Sequence, residues 1–242
     1  MRSGSFAGLV CLPILLVHSD LAAQVETDVN IAAGLDISAS VGRDEEWLER
    51  VGTARGLASQ PFAEAALSGR HSRVGVAVFA WSSQGCPLVV DWSVIATLED
   101  AARVARTLEA TPLIDFEHDI GLRHQDQSTG DDRLTDLSRA IGCGRHLLAH
   151  APFPATRSVL NILGDGVDNL NEQPDAARDR AVATGITVNG VVVNGSPEVV
   201  GYYRNHVIGG HGAFVLDVAD PVTMVDVMTR KFLLDVASTA RP

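Results

Sequence analysis

The sequence predicts a three-layer α/β sandwich: a mostly parallel six-stranded sheet in the order 3-2-1-4-5-6, strand 3 antiparallel at one edge, with helices on both faces. Three observations predict it. Short apolar runs rich in Val and Ile alternate with helical patterns, the arrangement that builds a parallel sheet covered on both sides. Of 242 residues, 46% are apolar and 20% charged, the balance of a globular chain long enough to bury its own core. Glycine is plentiful at 22 and aromatics are scarce at 5%, so small residues and Val must fill the layers.

The elements follow in order. Val29 to Ile37 is a near-continuous apolar run and reads as a buried parallel strand, ending in Asp36-Ile37-Ser38-Ala39-Ser40. Asp44-Glu45-Glu46 opens a helix with acids in its first turn, where the dipole favours them, and Trp47, Val51, Ala54 and Ala58 recur at helical spacing as its inward face. Val74 to Phe79 is the second strand and Leu88 to Val90 the third. The short Gly-bearing gap at Ser82-Ser83-Gln84-Gly85 predicts a hairpin, so strand 3 runs antiparallel. Glu99 to Ala110 is helical, with Ala102, Ala105 and Leu108 or Glu109 on its faces.

Residues 111–134 lose periodicity and hold Asp115, Glu117, Asp119, Asp126, Asp131 and Asp132 with His118 and His124, a long polar insertion. Loops of this length are functional or mobile. Leu134, Leu137, Ile141 and Leu148 mark the next helix, and Val159 to Leu163 is strand 4, ending in Gly164-Asp165-Gly166. Pro174 opens a helix that runs to Ala183, Ile186 to Val193 is strand 5, and Ala213 to Leu216 is strand 6. Pro221 to Ala237 closes the chain as a helix with Val222, Val225, Met228, Phe232 and Val236 inward.

The first residues read as a secretory leader. Met1-Arg2-Ser3 is a short basic start, Phe6 to Val17 an apolar run too short to span a bilayer, and Ser19 to Gln24 a small-residue end, with cleavage expected after Ala23. The apolar Val10 before Cys11 argues against lipidation. Residues 24–242 then form one domain, with its insertion at about 111–134. Removing the leader takes away Arg2 and Asp20, so the net charge stays at −11. That sign excludes a nucleic-acid binder and electrostatic docking on an anionic membrane, and no other segment is apolar enough for stable membrane insertion. The expected location is the periplasm or the exterior of a Gram-negative bacterium. There Cys86 and Cys143 are permitted to pair, but two separate thiols remain equally open.

In the order 3-2-1-4-5-6 the switch point lies between strands 1 and 4, where ligands bind beyond the carboxyl ends. Asp36 ends strand 1 and Asp165 follows strand 4, so the topology brings two acids together. Ser38 and Ser40 add hydroxyls at alternate positions, and Thr135, at the start of its helix, adds a third. Five hard oxygen donors suit Mg²⁺, Mn²⁺ or Ca²⁺ better than zinc.

Asp36-x-Ser38-x-Ser40, then Thr135, then Asp165 in Leu163-Gly164-Asp165-Gly166 resembles the metal-ion-dependent adhesion site of von Willebrand factor A domains, in order and spacing over nearly all of residues 25–240. The tail, Asn205-His206-Val207-Ile208-Gly209-Gly210 with Gly212-Ala213-Phe214-Val215, resembles a bacterial branch of exported A-domain proteins that carries a domain-of-unknown-function label. The resemblance implies that Ser38, Ser40 and Thr135 ligate the metal directly, and that Asp36 and Asp165 act largely through coordinated water. It further implies that a carboxylate from a protein or peptide partner completes the shell. Two positions depart from the family pattern: Leu134 stands where many members have Gly, and Gly164 where many have Thr or Ser.

The expected function is therefore a binding module and not an enzyme. The alternative is a metal-dependent hydrolase or phosphatase using the same acids, which would want a Lys or Arg for phosphate; the motif loops supply no Lys. His146 and His150 lie four apart on one helix, but Leu147 stands where the zinc protease motif requires Glu, so they read as a solvated or partly buried face.

Overall fold

The computed structural model describes residues 25–115, 133–170 and 173–237. The expected leader lies outside the described residues, as do Glu117, His118, Asp119, His124, Asp126, Asp131 and Asp132 of the insertion.

The sheet has six strands in the order β3-β2-β1-β4-β5-β6. They are β1 (Thr27–Asp36), β2 (Val74–Trp81), β3 (Leu88–Ile95), β4 (Ala155–Gly164), β5 (Ile186–Val193) and β6 (Val215–Val218). Only β3 is antiparallel; it pairs with β2 across the expected hairpin. Every residue of β1 and β2 is buried, which is why their sequences read as continuous apolar runs instead of alternating ones. Strand period still sorts the side chains. Val29, Ile31, Ala33 and Leu35 enter one core layer and Ala32 the other.

Helices α1 (Arg43–Leu57), α2 (Gln60–Ala66), α3 (Leu98–Glu109) and α7 (Met224–Ala237) pack together over the first layer. The rings of Phe62 and Phe232 meet there at 5.4 Å. Helices α4 (Leu137–Ala149) and α5 (Asp175–Ala183) cover the second layer. A short helix α6 (Pro197–Tyr202) runs into a π-helical turn, Tyr203–Val207, which delivers Tyr203 to the same layer.

Several expectations are corrected. Trp47 is 50% exposed and Ala58 is exposed. Val51 and Ala54 are buried as expected, joined by Leu57, Gly52 and Gly56; α7 crosses so closely that a Cβ on Gly52 would lie 2.3 Å from Met224 Cγ. On α3 the buried residues are Ala101, Val104, Ala105 and Leu108, a one-residue shift from the expected Ala102. The last helix begins at Met224, after a 3₁₀ turn at Pro221–Thr223, and leaves Val222 87% exposed. Strand 6 runs Val215–Val218, two residues beyond its expected place. Helix α2 was not anticipated, although Ser59, whose hydroxyl accepts from Phe62 N, and Pro61 in the first turn are a start signal.

Cys86 and Cys143 are bridged, with a Cα separation of 6.4 Å. The hairpin end and α4 do touch. His146 and His150 stack on the exposed side of α4 with ring centroids 4.1 Å apart.

The core also holds an ion pair. Lys231 and Asp235, one helical turn apart on α7, are both fully buried and lie 2.6 Å apart. Asn161 of β4 and Asn189 of β5 each donate to Asp235 at 3.0 Å.

Candidate metal-binding site

The site grows from the end of β1. Asp36 is the last strand residue and is 1% exposed. Its Oδ1 accepts from Ser38 N at 2.7 Å, closing a tight turn in which the carboxylate stands in for backbone. That turn sets Ser38 and Ser40 side by side, their hydroxyls 3.1 Å apart. Ser40 Oγ then donates to Asp165 Oδ1 at 3.1 Å, across 125 residues of chain. The parallel pairing of β1 with β4 makes this contact.

Thr135 arrives from a third segment and is 4% exposed. A Cβ on Gly166, the residue after Asp165, would lie 3.9 Å from Thr135 Oγ1, so the hydroxyl faces the loop after β4. Its backbone is held from three sides. Thr135 N donates to Asn169 Oδ1 at 2.9 Å, and Asn169 N returns a bond to Thr135 O at 3.1 Å. Leu134 exchanges two 2.8 Å bonds with Ser83 of the β2–β3 hairpin. Ala39 N donates to Arg133 O at 2.7 Å. Asp168 accepts from Leu137 N at 3.0 Å, aligning the start of α4. The structure thus gathers all five expected residues, Asp36, Ser38, Ser40, Thr135 and Asp165, at the carboxyl end of the sheet.

Four supporting residues were not foreseen. Asp168 and Asn169 carry a visible signal, since Asp/Asn clustering after a strand is loop-forming chemistry. Glu49 and Tyr203 carry none, because each reaches the site only through tertiary packing. Glu49 is fully buried, and its Oε2 accepts from Asp36 N at 3.3 Å. The hydroxyl of Tyr203 and Asp36 Oδ2 both come within 2.8 Å of where a Cβ on Gly164 would sit.

Burial governs the electrostatics. It pushes the Asp36 carboxyl up to about 8 against the lowering effect of the Ser38 bonds, and Asp165 and Glu45 add repulsion. Burial likewise pushes Glu49 well above the usual carboxylate range, with Asp36 repelling it. Glu45 is raised by burial and then by the charge of Asp165. Asp36 Oδ2, Glu49 Oε1 and the Tyr203 hydroxyl have no hydrogen-bond partner in the protein. Clustered carboxyls that repel one another, two of them with an orphaned buried oxygen, fit a nearby cation. Among the described residues no group of three or more His, Cys, Asp or Glu could hold a metal. The donor set here is two carboxylates and three hydroxyls, hard oxygens that match Mg²⁺, Mn²⁺ or Ca²⁺.

The model of a family described as "Protein of unknown function (DUF1194)" matches residues 26–240. Among curated proteins, no sequence matches the chain. In fold it is similar to proximal thread matrix protein 1 from the mussel byssus (TM-score 0.57, 17% identity), over 88% of this chain and 48% of that one. A second structure of that protein, described as having a zinc-occupied MIDAS motif, aligns equally well, with 49% of its chain covered. The pilus adhesin SpaC from Lactobacillus rhamnosus GG aligns with a TM-score of 0.60 at 11% identity, over 88% of this chain and 30% of the adhesin. The chain spans less than half the length of these proteins, and the likeness is one of fold: an α/β sheet of von Willebrand factor A type.

Proposed function

The chain belongs to the DUF1194 family, and from the geometry of its site we propose that it is an exported binding module that holds one divalent cation and recruits a partner carboxylate. The observation that carries this reading is the convergence of Ser38, Ser40 and Thr135 with Asp36 and Asp165, joined by the Ser40 Oγ to Asp165 Oδ1 bond of 3.1 Å. Ser38, Ser40 and Thr135 would ligate the ion directly. Asp36 and Asp165 would compensate its charge, largely through bound water. A bound cation would supply an electrophilic point at the surface, and three neutral hydroxyls would leave most of its charge available to an incoming carboxylate. Ion and partner are then linked, each raising the other's affinity by the same factor.

Adhesion and matrix proteins among the structural neighbours support a protein partner. Mg²⁺ is the expected resident ion, with Mn²⁺ and Ca²⁺ as substitutes. The leader expected from the sequence of residues 1–23 supports a periplasmic or secreted location; no helix of the described residues is long and apolar enough to cross a membrane.

Calorimetric titration of the mature protein with Mg²⁺ and Mn²⁺ tests the reading. Wild type should bind one ion weakly. Asp165→Ala and Ser38→Ala should each bind at least about tenfold less tightly, since losing one good contact to a charged group costs roughly 1.5–3 kcal/mol. Equal heats in wild type and Asp165→Ala would sink it. Hydrolysis of a phosphate monoester that disappears in Asp165→Ala would replace the binding reading with a metal-assisted hydrolase.

A further inference from the structure

Helix α4 ends on a pair of histidines that the oxygen-lined site does not use. His146 and His150 are exposed and stand one helical turn apart on the same side, with ring centroids 4.1 Å apart. At the rise of an α-helix the His146 Cα lies about 14 Å beyond Leu137, the residue that starts α4 near Thr135. Leu147 breaks the zinc protease motif by removing its glutamate, but the glutamate is that motif's base. The two imidazoles at this spacing are its metal ligands, and both are present.

One ring is already set up to ligate. His150 Nδ1 lies 2.8 Å from the carbonyl oxygen of His146. A carbonyl only accepts, so Nδ1 carries the proton and donates it, and the neutral ring then presents Nε2 as a bare lone pair. Ligating histidines are held in this way: the second nitrogen gives its N–H to a carbonyl, which fixes the tautomer and ring orientation and makes the free nitrogen more basic. The pair also sits at the carboxyl end of α4, where the helix dipole favours a positive charge. Because both rings are exposed, they can turn about χ2 to bring one nitrogen of each to a common ion, at the about 2.0–2.1 Å of a metal–imidazole bond. Imidazole nitrogens select Cu²⁺, Ni²⁺ and Zn²⁺ and pass over Mg²⁺ and Ca²⁺, the reverse of the hydroxyl and carboxylate set at the end of the sheet.

We propose that His146 and His150 form a second metal site, bidentate and open to solvent, for a divalent transition-metal ion of the Cu²⁺, Ni²⁺ and Zn²⁺ class. It differs from the oxygen site in place and in chemistry, and it stands whether or not that site binds. With two positions filled by protein, the rest are left to water or to a ligand from outside.

Calorimetry with Ni²⁺ on the mature protein, free of any histidine tag and in saturating Mg²⁺, tests it. Wild type should bind one Ni²⁺ per chain, and Cu²⁺ in a parallel titration should bind more tightly than Ni²⁺ or Zn²⁺. His146→Ala and His150→Ala should each weaken Ni²⁺ binding at least about tenfold, since losing even a ligand's supporting partner costs that much. Asp165→Ala should leave it unchanged. The electron paramagnetic resonance spectrum of the Cu²⁺ complex should show coupling to two imidazole nitrogens in wild type and to one in His146→Ala. His146→Ala keeps the His150 Nδ1 bond, whose acceptor is backbone, so its metal-free thermal melt should match wild type and its loss of binding is not a frayed helix end. Absence of Ni²⁺ binding in wild type, an unchanged affinity in either histidine variant, a loss in Asp165→Ala, or displacement of Ni²⁺ by excess Mg²⁺ overturns the proposal.

Discussion

Replacing Lys231 with Met would leave a carboxylate alone in the core. Lys231 and Asp235 are fully buried and 2.6 Å apart, and the lysine nitrogen lies 3.9 Å above the Phe232 ring. Burial pushes the Lys231 amine down to about 8 and raises the Asp235 carboxyl, so each charge is tolerated because the other is there. Breaking a buried pair by removing one partner costs about 3–5 kcal/mol. Here Asn161 and Asn189 still donate to both carboxylate oxygens at 3.0 Å, which places the cost near the lower end, about 3 kcal/mol. For a domain of this size that is a fall in Tm of roughly 6–12 °C.

The deficit should depend on pH with a definite sign. The folded carboxyl of Asp235 titrates above its unfolded value of about 3.9, and without Lys231 it rises further. A group raised in the folded state contributes stability below the unfolded pKa and loses it as pH rises through the folded one. The Lys231→Met deficit should therefore shrink on acidification and reach its full size above the folded carboxyl's titration. Lys231→Met/Asp235→Asn should recover part of the loss and flatten the pH dependence. Urea unfolding at pH 5 and pH 8 is the assay. A Lys231→Met protein within about 1 kcal/mol of wild type at pH 8, below the cost of an unpaired buried charge, would refute the reasoning, as would equal deficits at both pH values.

Reducing the Cys86–Cys143 bridge, or replacing both with Ser, should lower stability by up to about 4 kcal/mol, the chain-entropy limit for a sequence separation of 57, as read from urea midpoints with and without reductant. Gly164→Ser should cost about 1–3 kcal/mol by overpacking and weaken Mg²⁺ binding, because its Cβ would stand 2.8 Å from both Asp36 Oδ2 and the Tyr203 hydroxyl. Adding Tyr203→Phe should return part of that stability in thermal melts by clearing one of the two collisions.

The sheet was legible because its strands are short, apolar and well separated, and the strand order alone placed Asp36 beside Asp165. The gathering of Ser38, Ser40 and Thr135 followed from the ends of elements, where a one-residue error hardly moves a side chain. Helix faces were less legible. The periodicity of α1 suggested Trp47 inward, yet the buried surface includes Glu46, Glu49 and Arg50, and two glycines make the closest approach to α7. Arg50 Nε and Glu46 Oε1 satisfy each other at 2.6 Å, so polar residues go inside where a hydropathy pattern would put them out. Lys231 and Asp235 follow the same logic. Their spacing of four reads equally well as a surface pair until β4 and β5 bring Asn161 and Asn189 over them. The contact between Cys86 and Cys143 depends on where α4 crosses the hairpin, which no local pattern encodes.

The two positions at which the sequence departs from the adhesion-site pattern it resembles have different physical consequences. Gly164 belongs to a packed set. The Tyr203 hydroxyl, carried in by the π-helical turn, and the Trp81 ring already crowd the space a Ser or Thr side chain would need; Trp81 Cζ2 lies 3.2 Å from the would-be Cβ. A buried phenol and the Asp36 carboxylate thus share the space that a hydroxyl-bearing side chain on β4 would enter. Leu134 acts through its backbone. Both its N–H and its carbonyl bond to Ser83, so the segment leading to Thr135 is tied to the hairpin whatever the side chain, which itself is 37% exposed. The hairpin is in turn fastened to α4 by the Cys86–Cys143 bridge. Thr135 is therefore held at both ends of its segment, by Ser83 before it and by a disulfide-anchored helix after it. Were an ion to bind as proposed, a hydroxyl carried on a backbone fixed in this way would give up little further chain freedom, which would favour a site built on three neutral oxygens that each attract the ion only modestly.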